Sequence, residues 1–387
     1  MRYWRKFRNT RGAVLVFVAI LLVVLIGMAA LAIDVGRMYI ARQRAQNVCD
    51  ASALAGGAYL DGTLDCTGPG DLPAVTAEQC AAGNNELTAP WQVLAPGTTD
   101  PGVEVTFPSG AVTDDAGRAI SVDDGEAITV RGQVDVDFTF ARIFGLSGTE
   151  VGAGATAIID TVTKLCSPLF VPLAVSDLTI FGDGVEPGMT FGELVTLHVS
   201  DHTEGFLGPG NYLSLRFEGD SGANDYRNRL RGDEGEECLS VGEVVSADTE
   251  PGYMGQPTYD GLTDRLTKET NPDYAIDNPN AWQNWEASKD PDTGMYDETW
   301  RIVILPVIED TMQTVSGMEA VEVVGMAGFF IDKVYYGTED DEHRRQVVVE
   351  GYFIQGIAIG DTVRWTFPTP GTEPEGPQLI QELRLIS

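Results

Sequence analysis

An uncharged, apolar run near the N-terminus constrains this chain more than any other feature. It extends from Gly12 to Ile33 and ends at Asp34. As a helix, residues 13–33 would be about 31 Å long at roughly 1.5 Å per residue, close to the roughly 30 Å hydrocarbon core of a bilayer. The run therefore predicts a transmembrane helix over residues 13–33, with the lipid bilayer as a partner.

Basic residues around this run predict its orientation, because Lys and Arg are retained on the cytoplasmic side of a membrane. Five precede the run and three follow it closely: Arg2, Arg5, Lys6, Arg8 and Arg11, then Arg37, Arg42 and Arg44. We therefore expect residues 1–12 to be a cytoplasmic tail. The expected location is a single pass through the inner (cytoplasmic) membrane, with the bulk of the chain periplasmic or extracellular.

A cleaved signal peptide is the alternative interpretation of the same run. Ala30-Leu31-Ala32 has the small-residue pattern that signal peptidase accepts. The apolar region of a signal peptide is usually only about 7 to 15 residues long, and this run is longer. Its length favours retention of the helix.

The charge of the remaining chain excludes one class of partner. All 58 acidic residues follow the apolar run, against 20 of the 25 basic ones, which gives a formal balance of −38. A phosphate backbone is bound by clustered cations, and this chain lacks such clusters. We therefore expect no binding of nucleic acid.

The helix is expected to continue beyond the membrane over residues 34–57. Between Asp34 and Ala55 there is no proline, and glycine occurs only at Gly36, so the composition favours helix until Gly56-Gly57. At 100° per residue, mostly small side chains fall on one stripe. They are Met38, Ala41, Ala45, Val48, Cys49 and Ser52. We expect the stripe to pack on the protein's own exported part, with contact to another molecule as the alternative.

Three motifs in this segment occur in an order that resembles a known family. A basic-Gly start, an exit reading Asp34-Val35-Gly36-Arg37-Met38-Tyr39 and a tail over residues 46–56 resemble the N-terminal segment of TadG-like Flp (tight adherence) pilus-assembly proteins. The motif residues are Gly12, Asp34, Gly36, Arg37, Tyr39 and Asp50.

The resemblance implies a membrane-anchored structural or assembly component of a Flp/Tad-type pilus or related envelope machine, similar to a minor pilin. It also implies that the partners are other Tad/Flp pilus-assembly proteins. The alternative is a cell-surface adhesin or glycan-binding protein with the same anchor, using Trp282 and Trp285 on an exposed loop. Exposed aromatic side chains supply contact area, but they also form local packing clusters. An envelope hydrolase is a further alternative, but we do not expect an enzyme, because the spacing of the residues supports no catalytic triad, metal set or pair of carboxylates.

The rest of the chain predicts an α+β fold. Residues 58–165 are expected to form an exported α+β module, with a polar loop at 60–100, strands at 103–107, 127–138 and 151–160, and helical turns at 140–145. Residues 166–367 are expected to form a mainly β domain containing a long surface loop at 271–298. Its candidate strands are 194–199, 212–217, 241–245, 301–307, 321–330 and 346–359. Residues 368–387 are expected to be a Pro-rich C-terminal tail, with a proline-rich connector at 368–377 before a short apolar end at 379–386.

The five cysteines agree with export, because disulfides persist outside the cytoplasm. Connectivity cannot be deduced from sequence. The simplest pairing joins Cys66 to Cys80 and Cys166 to Cys238, and leaves Cys49 on the helix.

No catalytic or cofactor site is predicted. His198 and His202 lack the neighbouring glutamate and the third ligand of a zinc hydrolase. The one cofactor left open is a structural calcium ion, for which Asp290, Asp292, Asp297 and Glu298 offer oxygen ligands. Their spacing does not fit an EF-hand loop, so a solvated acidic loop is the default interpretation.

Overall fold

A computed structural model describes the fold of the chain as two compact units. They are residues 1–158 with 385–387, and residues 159–384. The described residues are 11–60, 72–83, 92–93, 102–113, 119–122, 125–182, 188–199, 211–217, 219–220, 222–247, 254–290, 295–309, 320–339, 345–359, 362–366 and 379–386. The predicted α+β class is confirmed: a long apolar N-terminal helix precedes a body rich in β-sheet that also contains helices.

The two units divide between Ile158 and Ile159. Ile158 packs in an apolar cluster of the first unit with Val122 and Ala127. Val162 and Leu165 instead pack in a core of the second unit. These buried side chains on either side of the division therefore belong to different apolar cores.

The first unit begins with one continuous helix, α1 (Arg11–Gly57), which includes both the predicted span and its predicted extension. In the described part of the chain, α1 is the one helix long and apolar enough to cross a membrane. A second helix, α2 (Leu72–Gly83), packs against α1. The prediction of a polar loop over 60–100 is therefore wrong at α2, whose small residues Ala74 and Ala77 are buried.

The strands of the first unit form a four-stranded sheet and a separate hairpin. In chain order they are β1 (Gln92–Val93), β2 (Gly102–Thr106), β3 (Gly110–Thr113), β4 (Ala119–Val122), β5 (Ala127–Asp137) and β6 (Gly148–Thr161). The sheet order is β1-β2-β5-β6, with only β1 and β2 parallel. The long β5–β6 hairpin is closed by the segment 138–147, which contains a 3₁₀ turn (Ala141–Phe144) at the predicted helical turns.

The second unit contains a large mixed sheet, a separate two-stranded antiparallel pair and helices. Its strands are β7 (Lys164–Ser167), β8 (Leu173–Ser176), β9 (Val195–Val199), β10 (Asn211–Arg216), β11 (Glu237–Ser240), β12 (Val244–Ala247), β13 (Ile302–Ile308), β14 (Ala320–Glu339), β15 (Arg345–Ile359), β16 (Thr362–Thr366) and β17 (Ile380–Ile386). Its helices are α3 (Asp177–Phe181), α4 (Gly222–Arg231), α5 (Gly255–Leu266) and α6 (Ala281–Glu286). The main path through these strands is β17-β15-β9-β10-β12-β14-β13-β8, and β14 also pairs with β15.

The central strand β13 shows why this sheet has two cores. Val303, Leu305 and Val307 pack in the cluster that includes residues of α4 and α5, whereas Ile304 and Ile308 pack in the cluster on the other face. A strand covered on both faces reads as a continuous apolar run, and every residue of β13 is buried.

The apolar C-terminal end expected at 379–386 contains a strand that the sequence analysis did not predict. β17 is a strand that pairs in parallel with β15, with Ile380 opposite Gly356. Leu379 and Ile380 are buried, and Leu379 accepts a backbone hydrogen bond from Gly356. Apolar side chains after the proline-rich segment therefore join the sheet.

The prediction of a long surface loop over 271–298 is wrong where that segment is described. It contains a 3₁₀ turn (Pro272–Tyr274) and α6, and it buries Trp282 and Trp285, which are 4% and 0% exposed. Trp282 stacks on Tyr352, and the Trp285 indole N–H donates to the carbonyl of Asp297 at 3.0 Å. These tryptophans form a packing cluster and offer no exposed face to a glycan.

A buried cation holds the start of this segment against the sheet. The Arg301 guanidinium donates to the carbonyls of Tyr274 (2.8 Å), Ile331 (2.9 Å), Asp332 (2.8 Å) and Ala275. Arginine is suited to this because its planar group carries five donors in a fixed geometry. One side chain therefore connects the 272–275 backbone to β14.

A carboxylate connects the two ends of the same segment. Glu269 accepts hydrogen bonds from the N–H groups of Thr270 and Asn271, from the hydroxyl of Thr299 and from the N–H of Trp300, at 2.7–3.1 Å. Burial by itself raises the pKa of Glu269, but the hydrogen bonds from Thr299, Asn271, Trp300 and Thr270 outweigh it and hold that pKa below its usual value.

We expect Glu269 to make the stability of the second unit pH-dependent. Because its pKa is lower folded than unfolded, its contribution is complete above the unfolded value of about 4.3 and is lost as the pH falls through the folded value. Glu269→Gln should lower the free energy of unfolding at neutral pH by about 2 kcal/mol and weaken its decline in acid. Urea unfolding of the full chain in detergent at a series of pH values measures both effects. Glu322→Gln, at an exposed carboxylate of β14, is the control, and equal pH profiles for the two variants would contradict the assignment.

Candidate functional site

The family-like motif residues converge where α1 meets the turn of the β5–β6 hairpin. Asp34 is only 2% exposed, and its carboxylate accepts three backbone hydrogen bonds. The N–H groups of Thr139, Phe140 and Ala141 donate at 2.8, 3.0 and 2.7 Å. A carboxylate bound by several N–H groups is a strong, charge-assisted arrangement. We call this contact the Asp34 clasp.

Two further motif residues lie beside the clasp and differ in role. Arg37 donates a hydrogen bond to the hydroxyl of Thr139 and so supports the same turn. Tyr39 is 62% exposed, and its hydroxyl accepts a hydrogen bond from Gln43 at 3.1 Å. A Cβ added at Gly36 would meet nothing within 4 Å. Gly36 and Tyr39 therefore face away from the protein's own hairpin.

The small-residue stripe of α1 packs on the hairpin, as the sequence analysis expected. Ala45, Val48, Cys49 and Ser52 are buried, and the Cys49 thiol lies 3.6 Å from the carbonyl oxygen of Ala153. Small side chains allow this close approach, because no bulky side chain of α1 keeps the helix backbone away from the backbone of β6.

Polar contacts at the edge of the stripe fix its register. The Gln46 amide donates to the carbonyl of Gly154 at 2.9 Å and to the carboxylate of Asp50 at 2.7 Å. Asp50, the motif residue of the tail, therefore orients Gln46 towards the hairpin. Gly12, the first motif residue, begins the apolar part of α1.

The far end of α1 approaches its neighbours most closely at Gly56. A Cβ at this position would lie 2.6 Å from the Ile128 side chain, 2.6 Å from the carbonyl oxygen of Pro73 and 2.9 Å from Ala77. Real Cβ atoms do not tolerate such distances, so only glycine fits without a shift of β5 or α2. The small residue is required by packing here, unlike at Gly36.

These contacts set the direction of the hairpin along α1. The clasp joins Asp34 to residues 139–141 at one end, and Gly56 meets Ile128 at the other. Between them α1 rises about 33 Å at roughly 1.5 Å per residue. The turn of the hairpin therefore lies beside Asp34, immediately after the apolar run of α1.

The four described cysteines lie on four different elements, with Cys49 on α1. Cys166 and Cys238 lie opposite each other in the β7–β11 pair and form a disulfide, which is the pairing preferred from the sequence. Cys80 is half-buried on α2, and Cys66 lies outside the described residues. The other expected disulfide therefore stays a prediction.

Among the residues that the structure describes, no cluster of side chains is suited to bind a metal ion. Within those residues, no group of three or more His, Cys, Asp or Glu side chains could hold a metal. Asp292 of the calcium candidate lies outside them, as does His202. Asp297 accepts a hydrogen bond from the Tyr274 hydroxyl at 2.8 Å. The calcium ion remains a prediction.

Comparison with known proteins identifies the segment that forms the clasp. Residues 12–58 match the family model described as putative Flp pilus-assembly TadE/G-like, which confirms the resemblance predicted from the N-terminal motifs. The matched segment coincides with α1 and the residue that follows it. Searches of the curated proteins and of the solved structures found no match.

Sequence reasoning found the motif residues but not the partners of Asp34. The helical turn at 140–145 was predicted, and the acidic residue at the membrane exit was noted. Nothing in the sequence links a carboxylate to backbone N–H groups more than a hundred residues away. The signal available in retrospect is the short turn between two alternating strands, whose first N–H groups lack partners of their own.

Removal of the Asp34 carboxylate should loosen the hairpin from α1. Asp34→Ala leaves three N–H groups without their acceptor, so we expect it to weaken the contact between α1 and the hairpin, and Asp34→Asn to weaken it less. Hydrogen exchange of the 139–141 amides in detergent should become faster in both variants. Asn47→Ala, at an exposed position of the same helix, is the matched control and should leave those amides unchanged. Equal protection of these amides in all variants would contradict the clasp.

Gly36 and Gly56, two of the three glycines of α1 beyond Asp34, should respond oppositely to alanine. Gly56→Ala forces Ile128 or the Pro73 backbone to shift, so we expect destabilisation by about 1–3 kcal/mol. Gly36→Ala has open space and gains helix propensity, so it should be neutral or stabilising by up to about 1 kcal/mol. Thermal unfolding of the two purified variants measures the difference. If Gly56→Ala were as stable as the wild type, the close approach would be wrong.

Proposed function

We propose that this chain is a membrane-anchored structural component of a Flp/Tad-type pilus-assembly machine, similar to a minor pilin. The observation that carries the proposal is the family match over residues 12–58. The matched residues include the apolar run and the carboxylate that fixes the hairpin. The role is therefore one of anchoring and positioning rather than of catalysis.

The proposed location follows from charge and cysteine chemistry. Five basic residues before the apolar run favour a cytoplasmic N-terminus in the inner membrane. The acidic remainder and the Cys166–Cys238 disulfide suit an oxidising compartment beyond that membrane. The proposed partners are the lipid bilayer and other Tad/Flp pilus-assembly proteins.

The exposed side of α1 beyond the apolar run is the proposed contact with those proteins. Val35, Tyr39 and Ile40 are each at least half exposed there, although the opposite side of the same helix is buried on the hairpin. Contact through this side would bury apolar surface without disturbing the Asp34 clasp. The partner would thus meet the part of the chain that matches the family.

Deletion of the gene should reduce surface pili and adhesion, and the wild-type gene should restore both. Complementation with Tyr39→Ala/Ile40→Ala should fail to restore pili, because it removes exposed apolar surface while leaving the clasp intact. Val244→Ala, at an exposed apolar residue of β12, is the matched control and should complement fully. Electron microscopy counts the pili, and immunoblotting checks that all proteins accumulate equally. Unchanged pili in the deletion strain would overturn the proposal.

A further inference from the structure

The turn of the β5–β6 hairpin exposes apolar side chains to an unusual degree. Ile143 is 80% exposed, more than any other large apolar side chain in the described part of the chain, and Leu146 is 57% exposed. Both are held in or beside the 3₁₀ turn, where the N–H of Gly145 donates to Arg142 and that of Leu146 donates to Ala141. The exposure therefore belongs to an ordered turn with a defined backbone.

The position of this turn along α1 indicates what covers it. The Asp34 clasp holds residues 139–141 at the first residue after the apolar run, and Arg37 holds Thr139 from the next turn of helix. The other end of the hairpin is about 33 Å away along α1, at Gly56. Ile143 and Leu146 consequently lie at the level where α1 leaves the hydrocarbon.

The chemistry of the turn also suits that level. Arg142 lies between the aromatic and aliphatic residues of the turn, and its side chain is 57% exposed. Its ion pair with the exposed Asp137 is solvated and therefore weak. A guanidinium can donate to lipid phosphates, while neighbouring apolar side chains enter the boundary between headgroups and acyl chains.

We propose that residues 138–147 form an interfacial membrane contact of the hairpin. Ile143 and Leu146 enter the outermost acyl region of the bilayer that α1 spans, and Arg142 meets lipid phosphates. The inference rests on the proposed membrane anchor and goes beyond it. The bilayer is contacted at two points, the helix and the turn, so the hairpin is held upright on the membrane surface and does not pivot about the helix alone.

Site-specific photo-crosslinking of the full chain in phosphatidylethanolamine and phosphatidylglycerol nanodiscs tests this contact. The photoreactive residue p-benzoylphenylalanine replaces Ile143, or Ala111 as an exposed control. Ala111 lies in β3 beside Val112, which packs against the cluster of Ala127 close to the Gly56 end of the hairpin. We expect at least a fivefold higher yield of lipid adduct at 143 than at 111, measured by mass spectrometry. Similar yields, or adducts at 143 with a second copy of the chain, would overturn the inference.

A third position separates failure of this inference from failure of the anchor. Replacement of Leu21, within the apolar run, should give lipid adducts if α1 spans the bilayer. Lipid adducts at 21 without adducts at 143 would overturn only the interfacial contact. Absence of adducts at both positions would overturn the anchor as well.

Substitution of the apolar side chains gives an independent readout. Ile143→Glu/Leu146→Glu should make the 138–147 amides exchange faster in nanodiscs but not in detergent-free buffer containing an amphipathic polymer, because only the bilayer protects them. Its thermal unfolding should equal that of the wild type, since both residues are exposed. Equal exchange in nanodiscs for the variant and the wild type would count against the proposal.

Discussion

A buried carboxylate organises the part of this protein next to the membrane. Asp34 is the first charged residue after the apolar run, where a charge would be costly unless it were paired or hydrogen-bonded. Three N–H groups of the hairpin turn satisfy it. The residue that ends the apolar run therefore also attaches the hairpin to α1. This contact sets the direction of β5 and β6 along α1.

The helix α1 performs two tasks with one backbone. Over its apolar part the described side chains are exposed and suited to lipid, whereas beyond Asp34 one side is buried on β5 and β6. The transition needs no break, since neither proline nor a glycine cluster occurs before Gly56. The result is one helix with two surfaces, an exposed apolar part and a part that packs on the hairpin.

In the second unit, buried cations perform a comparable organising task. Arg301 and Arg265 are buried and donate to backbone carbonyls, Arg265 to Trp300 at 2.9 Å and to Ile302 at 3.2 Å. Burial lowers the pKa of Arg265 to about 10, so it still carries its charge at neutral pH. Backbone outside the strands can therefore pack on the sheet, because the guanidinium groups donate hydrogen bonds to carbonyls that have no partner strand.

The sequence by itself determined the elements with strong periodicity or length. The apolar run and its extension predicted α1, and the alternating or β-branched runs predicted β5, β13 and β15 nearly to the residue. The motif residues from Gly12 to Asp50 were recognisable without any structure, because they are local in sequence. The helices α2, α4 and α5 were missed, since their glycine, polar and small residues carry weak local preferences that tertiary packing overrides.

Only the tertiary structure decided which distant groups meet. Trp282 and Trp285 became core residues because Arg301 and Glu269 fix the backbone around them, which no local pattern could indicate. In the same way, the sequence placed a carboxylate at the membrane exit, but folding supplied its partners at 139–141. A hydrogen bond depends on atoms within about 3 Å in space, and separation along the chain carries no information about that distance.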